Sequence, residues 1–160
     1  MGAIASGGVR IVNEPVAEEL GVSERALAAA AAQEQIELER RERLYRGEAM
    51  PVDVQGRTVI LVDDGLATGS TMRAAVAAVR GRGARRVVVA VPAASPATRD
   101  QLAPEVDDIV VVVTPEPFLA VGMWYEDFSQ TRDEEVRDLL AKAARSSGSS
   151  LTTGEEQETS

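Results

Sequence analysis

Apolar residues in the second half of the chain arrive in short runs separated by small and charged residues. T-V-I-L-V at 58–62, R-V-V-V-A-V at 86–91 and I-V-V-V-V at 109–113 are near-continuous, with none of the alternation of a strand that has one wet face. Such runs predict strands buried on both faces, as in parallel sheets. Ser70–Arg80 places Met72, Val76 and Val79 near helical spacing, and Gly81 and Gly83 stop it. Pro96–Leu102 reads as a short helix. The order strand–helix–strand–helix–strand predicts an α/β fold on a parallel sheet. A last helix is expected over 131–145, where Asp133, Glu134 and Glu135 in the first turn suit the helix dipole.

The first half is patterned differently. A-I-A-S-G-G-V-R-I-V at 3–12 has a two-glycine turn, Gly7-Gly8, between apolar runs, which is a hairpin signal. Ser23 and Glu24 open a helix that continues to about Tyr45 through an alanine run at 28–32. Glu37–Arg41 and Glu39–Arg43 are spaced for favourable i,i+4 pairs, and Gly47 and Pro51 end the helix. This charged helix reads as a solvated, salt-bridged cover for the sheet or as a surface for a partner. From Ser146 onward the chain is polar and acidic, too poor in apolar surface to offset ordering entropy. One domain over 1–145 and a disordered tail over 146–160 are therefore expected.

Composition narrows the chemistry. The 160 residues are 44% hydrophobic but only 3% aromatic, so aliphatic packing must form the core. A net charge of -9 argues against phosphate-backbone binding, and nucleic acid is not an expected partner. With no cysteine and no histidine, disulfides, thiol catalysis, His-based triads and Cys/His zinc sites are excluded. A metal would sit on oxygen ligands, which suits Mg²⁺ or Mn²⁺. No apolar run approaches the roughly 20 residues of a membrane span, and neither a signal peptide nor a basic amphipathic helix is visible. Cytoplasm is the expected compartment. Met1–Ser6 fits a short N-acylation pattern, but that motif is unspecific and a strand entering the Gly7-Gly8 turn is the favoured reading.

One stretch concentrates chemistry: V-I-L-V-D-D-G-L-A-T-G-S-T at 59–71. Asp63 and Asp64 end a core strand side by side, where two like charges repel and burial is costly. In parallel α/β sheets, ligands bind beyond the carboxyl ends of the strands. Thr68-Gly69-Ser70-Thr71 then leads into a helix whose N-terminal N–H groups attract phosphate. The layout is a diol or metal reader followed by a phosphate cradle, and it suits a sugar phosphate. A Walker A lysine is missing from the loop, and no G-x-G-x-x-G occurs. The plain structural alternative is an Asx turn at Asp63 or Asp64 with a Thr or Ser helix cap. That alternative leaves the second aspartate and the glycine between hydroxyls unexplained.

The same stretch resembles the phosphoribosyl pyrophosphate (PRPP) signature of type I phosphoribosyltransferases: an apolar strand, two acidic residues and a T-G-x-T loop. G-A-I-A-S-G-G-V-R at 2–10, E-L-E-R-R-E-R-L-Y-R-G at 37–47 and A-V-G-M-W-Y-E-D-F at 120–128 resemble a bacterial branch of that family. The resemblance runs from about residue 2 to 143. It implies a Rossmann-like parallel sheet flanked by helices. It implies PRPP as ligand, Mg²⁺ as cofactor, a small-molecule acceptor and release of pyrophosphate. Asp63 and Asp64 would meet the ribose 2′- and 3′-hydroxyls, directly or through Mg²⁺-bound water. Ala67, Thr68, Gly69, Ser70 and Thr71 would hold the 5′-phosphate. Phe118, Trp124 and Tyr125 would lie in a hood over a nucleobase-like acceptor, where Trp124 or Tyr125 could stack on its ring; for Trp124 the alternative is packing in the core. No catalytic residue is assigned.

Three departures bear on the acceptor and on the extent of the domain. Purine-using members carry an acidic residue where this chain has Ala67. Purine salvage enzymes have a lysine after the next strand, where this chain has Pro92 and Ala93. Both argue against a purine. A strand with a glycine loop for pyrophosphate has no counterpart, so the resemblance implies a domain incomplete at its N-terminus. A sheet short of a strand exposes an edge and apolar side chains, so marginal stability or association, including a homo-oligomer, is expected. The rival to an enzyme is a non-catalytic PRPP- or nucleotide-binding regulatory module.

Overall fold

The computed structural model describes residues 2–5, 9–12, 14–47 and 52–149. Two short strands, β1 (Gly2–Ala5) and β2 (Val9–Val12), pair antiparallel with Ala3 opposite Ile11 and Ala5 opposite Val9. The hairpin is thus present, and its Gly7-Gly8 turn lies outside the described residues. Helix α1 (Glu14–Glu19) follows, an element the pattern does not announce. Helix α2 (Glu24–Arg46) starts where expected, with Ser23 Oγ accepting from the Ala26 N–H at 3.3 Å. Glu37 pairs with both Arg40 and Arg41 at 2.7 Å, and these two guanidinium groups hold its carboxyl down to about 2. Glu39 accepts from Gln35 at 3.0 Å.

Three parallel strands form the sheet, in the order β3 (Thr58–Val62), β4 (Arg86–Ala93), β5 (Asp108–Val113). The register sets Leu61 beside Val89 and Val89 beside Ile109. Helix α3 (Ser70–Gly81) joins β3 to β4, and α4 (Pro96–Leu102) leads from β4 towards β5. Both lie on one face of the sheet. Met72 and Val76 of α3 and Leu102 of α4 pack with Val87, Val89 and Val91 of β4, with Leu61, Ile109 and Val111 at the margins. Each of these side chains removes apolar area from water at about 25 cal/mol per Å². The hairpin lies against α3, and α2 packs on β1 and on the last helix, α5 (Asp133–Ser149). Asp133 ties α5 to α2: it accepts from the Tyr45 hydroxyl at 2.6 Å and from Arg40 at 3.2 Å.

The opposite face corrects the expectation of strands buried on both sides. Ile60, Val62, Val110 and Val112 are 62%, 74%, 53% and 79% exposed. These side chains form an open apolar face on the sheet. Helix α5 also continues past Arg145 to Ser149, where composition suggested a tail; residues 150–160 of that tail lie outside the described residues. No helix among the described residues is long and apolar enough to cross a membrane.

Candidate functional site

Strand β3 ends at Val62 and delivers Asp63 and Asp64 to the carboxyl edge of the sheet. Asp63 is half-buried, and burial pushes its carboxyl above the ordinary range, opposed by the hydrogen bond it accepts from the Asp64 N–H at 2.9 Å. The Asp64 carboxylate adds to the upward push on Asp63. A desolvated carboxylate beside a second one is an unfavourable arrangement without a cation or donors to share it. Two adjacent carboxylates supply hard oxygen donors of the kind Mg²⁺ takes. Among the described residues no group of three or more such side chains gathers, so a metal here would draw its other ligands from water and substrate.

The loop that follows is held closely. Gly65 runs so near its neighbours that a Cβ would sit 2.7 Å from the Val121 side chain and 2.9 Å from the Ala93 carbonyl oxygen. Leu66 turns inward, 1% exposed, and its N–H donates to the Ala93 oxygen at 2.9 Å. Its own carbonyl accepts from the Ser95 N–H at 3.1 Å. The buried Thr98 hydroxyl donates to the Ala67 carbonyl at 2.6 Å. Gly69 caps α3 in the left-handed region, φ 70° and ψ 2°, with Thr98 Cγ2 only 2.8 Å from where a Cβ would be.

The helix-cap half of the plain structural alternative is absent, while Asp63 keeps a local bond to the Asp64 N–H. The N-cap of α3 is Gly69, and no side chain caps the helix. Thr68 Oγ1 and Ser70 Oγ lie 3.4 Å apart, and the Thr68 and Thr71 side chains are exposed. Uncapped first-turn N–H groups and exposed hydroxyls are a ready anion cradle, and it stands a few residues from the carboxylate pair.

Beyond β5 the chain returns over the loop. A 3₁₀ turn, Val121–Trp124, leads to Tyr125, whose hydroxyl donates to the Asp64 carbonyl at 2.6 Å. The Tyr125 ring packs on Phe128 with centroids 5.1 Å apart and planes tilted 45°. A cavity of about 430 Å³ opens here, lined by Asp64, Tyr125, Asp127, Phe128, Ser129, Gln130 and Thr131. The structure therefore brings Asp63, Asp64, residues 67–71 and Tyr125 together. Trp124 is 45% exposed rather than packed in the core, and neither it nor Phe118 lines this cavity. Thr98, Val121 and Phe128 also build the site, and local pattern did not point to them. The Ser95-Pro96-Ala97-Thr98 cap signal was available: Ser95 Oγ accepts from the Thr98 N–H at 3.0 Å, which orients Thr98.

The fold is a parallel α/β sheet, and its acidic loop stands at the carboxyl end of β3, where sheets of this class bind their ligands. A phosphoribosyl transferase domain model matches residues 3–122, and the chain belongs to that family. Two proteins of Mycobacterium tuberculosis, from strains CDC 1551 / Oshkosh and ATCC 25618 / H37Rv, are each 38% identical over 144 residues. Both carry the name "Putative phosphoribosyl transferase". The match takes in 90% of this chain and 32% of each relative, so the chain spans about a third of their length. The crystal structure of TT1426 from Thermus thermophilus superposes with a TM-score of 0.64 at 40% identity, over 77% of this chain and 59% of that one.

Proposed function

We propose that the loop from Asp63 to Thr71 binds PRPP, and that the protein transfers 5-phosphoribose to a nucleobase-like acceptor with release of pyrophosphate. The carboxylates of Asp63 and Asp64 accept from the ribose 2′- and 3′-hydroxyls. The first-turn N–H groups of α3 and the hydroxyls of Thr68, Ser70 and Thr71 hold the 5′-phosphate. With both ends of the sugar gripped, the bond from ribose C1 to pyrophosphate breaks and its electron pair leaves with pyrophosphate. An acceptor lone pair makes the new bond. Positioning of this kind is the chain's main contribution to rate.

Asp63 and Asp64 are the residues that would hold Mg²⁺, through water or through the ribose oxygens. When bound, Mg²⁺ supplies charge neutralisation for pyrophosphate. The acceptor would enter the cavity beside Asp64, where Phe128 offers an apolar contact and Asp127, Ser129, Gln130 and Thr131 offer polar ones. The observation that carries the reading is the uncapped start of α3 shortly after a carboxylate pair whose first member, Asp63, is partly desolvated.

Calorimetric titration of PRPP with Mg²⁺ tests it, with Asp63→Asn/Asp64→Asn alongside. Binding by the wild type and loss in the double variant is the expected result. Equal binding by both would remove the carboxylates from the site, and no binding by either would refute the reading for this chain. Binding without pyrophosphate release across a panel of bases would instead assign the chain to regulation.

A further inference from the structure

The family resemblance offers Tyr125 as a ring on which an acceptor could stack. The structure commits that side chain elsewhere. Its hydroxyl is engaged by the Asp64 carbonyl at 2.6 Å, and its ring leans on Phe128. Phe128 in turn sits against Gly122, where a Cβ would be 2.7 Å from the ring. The segment 121–128 is thus folded onto itself, and it touches the acidic loop at two consecutive residues. Val121 closes on Gly65, and Tyr125 bonds to Asp64.

The consequence for the carboxylates is direct. A bond to the Asp64 carbonyl sets the plane of the peptide joining Asp64 to Gly65. With the Asp64 N–H already donating to Asp63 Oδ1 at 2.9 Å, both peptide groups flanking Asp64 are held. The direction in which the Asp64 Cα–Cβ bond leaves the backbone follows from them, and with it the region its carboxylate can reach. The second half of the loop is held differently, by the Ala93 carbonyl and the Thr98 hydroxyl.

We propose that Tyr125 is a positioning residue: through the Asp64 carbonyl it aims the Asp63–Asp64 pair at the ribose diol, and it links the 121–128 segment to the grip on the sugar. This rests on the phosphoribosyl reading given above. The role concerns the diol end of the ligand and leaves the phosphate cradle untouched.

The test is Tyr125→Phe, which keeps the ring on Phe128 and removes only the hydroxyl. Backbone ¹⁵N order parameters of the unliganded chain are expected to fall at Asp64 and Gly65 and to stay unchanged at Leu66, which Ala93 holds. Calorimetry is expected to show ribose 5-phosphate binding weakened roughly 3- to 10-fold, the worth of one hydrogen bond. Inorganic phosphate should bind as in the wild type. Unchanged order parameters at Asp64 and Gly65 overturn the proposal whatever the ligands do. Equal weakening of both ligands together with a lowered melting point overturns it in favour of a structural role. If the order parameters fall but the wild type binds no ribose 5-phosphate, the phosphoribosyl reading fails and the positioning role with it, leaving a structural clasp.

Discussion

Gly69→Ala isolates how the phosphate loop is built. Two costs meet at this position. An alanine held at φ 70° brings its Cβ close to the following carbonyl, which costs about 1–2 kcal/mol. The new methyl also lands 2.8 Å from Thr98 Cγ2, well inside the roughly 3.5–4.0 Å of a comfortable carbon contact. Thr98 has little freedom to yield. It is buried, and its hydroxyl lies 2.6 Å from the Ala67 oxygen and 2.8 Å from Ser95 Oγ. Rotating the methyl away breaks those bonds, so overpacking adds about 1–3 kcal/mol. The sum is about 2–5 kcal/mol, a fall in melting temperature of roughly 5–15 °C for a chain of this size. PRPP binding should fall with it, because the first-turn N–H groups move. Thr98→Ser in the same background removes the offending methyl and keeps the hydroxyl. The double variant should recover the overpacking share and retain the backbone share. Circular-dichroism melts of the two single variants and the double variant close the cycle. A Gly69→Ala melt within about 0.5 kcal/mol of wild type, the scatter of an ordinary surface change, would refute the backbone argument. A double variant that simply adds the two losses would refute the contact.

Asp63→Asn should stabilise the chain while weakening PRPP binding. The folded carboxyl titrates above its ordinary 3.8, so its ionised form costs stability at neutral pH, and the cost vanishes below 3.8, where folded and unfolded states are both protonated. Melts from pH 3 to 8 should show a gain at pH 7 that disappears at pH 3; a gain independent of pH would contradict this origin. Asp133 is the opposite case. The Tyr45 hydroxyl and then Arg40 hold its carboxyl below 3.8, so it contributes stability above that value that is lost as pH falls through the folded titration. Asp133→Asn should lower the melting point modestly at pH 7 and match the wild type in strong acid; equal offsets at both pH values would count against the clasp. The open sheet face should drive association, and Val62→Lys/Val112→Lys should shift sedimentation towards monomer. A wild type that is monomeric at every concentration would remove that face as a cause of assembly.

Local pattern carried the elements whose determinants are local. Pro96–Leu102 and Thr58–Val62 have the same bounds in pattern and in structure, because a Ser-Pro cap and an unbroken apolar run are self-contained signals. Helix α1 escaped because six residues are too few to show a period, and Pro15 reads as a breaker although the first helical turn tolerates it. The last turn of α5 escaped for another reason. Its S-S-G-S composition is that of a tail, yet extending an existing helix needs only one bond per residue. Burial on both faces of the sheet follows from apolar content alone, which says what a face could bury and not what lies against it.

The site divides along the same line. Asp63, Asp64 and the Thr68–Thr71 loop are contiguous, so their spacing was legible. Their supports are not contiguous: Thr98 reaches Ala67 across 31 residues, and Tyr125 reaches Asp64 across 61. A general inference was still open from the sequence. Gly65, Ala67 and Gly69 lack side chains long enough to brace a loop, and a loop that must present N–H groups to a phosphate cannot bond them to itself. Such a segment has to draw its supports from elsewhere in the fold, mostly as donors to its carbonyls. The structure supplies them from Ser95 and Thr98 at the start of α4 on one side and from Tyr125 on the other. The smallness of the loop residues therefore implied outside supports, and only the fold could say which residues they are.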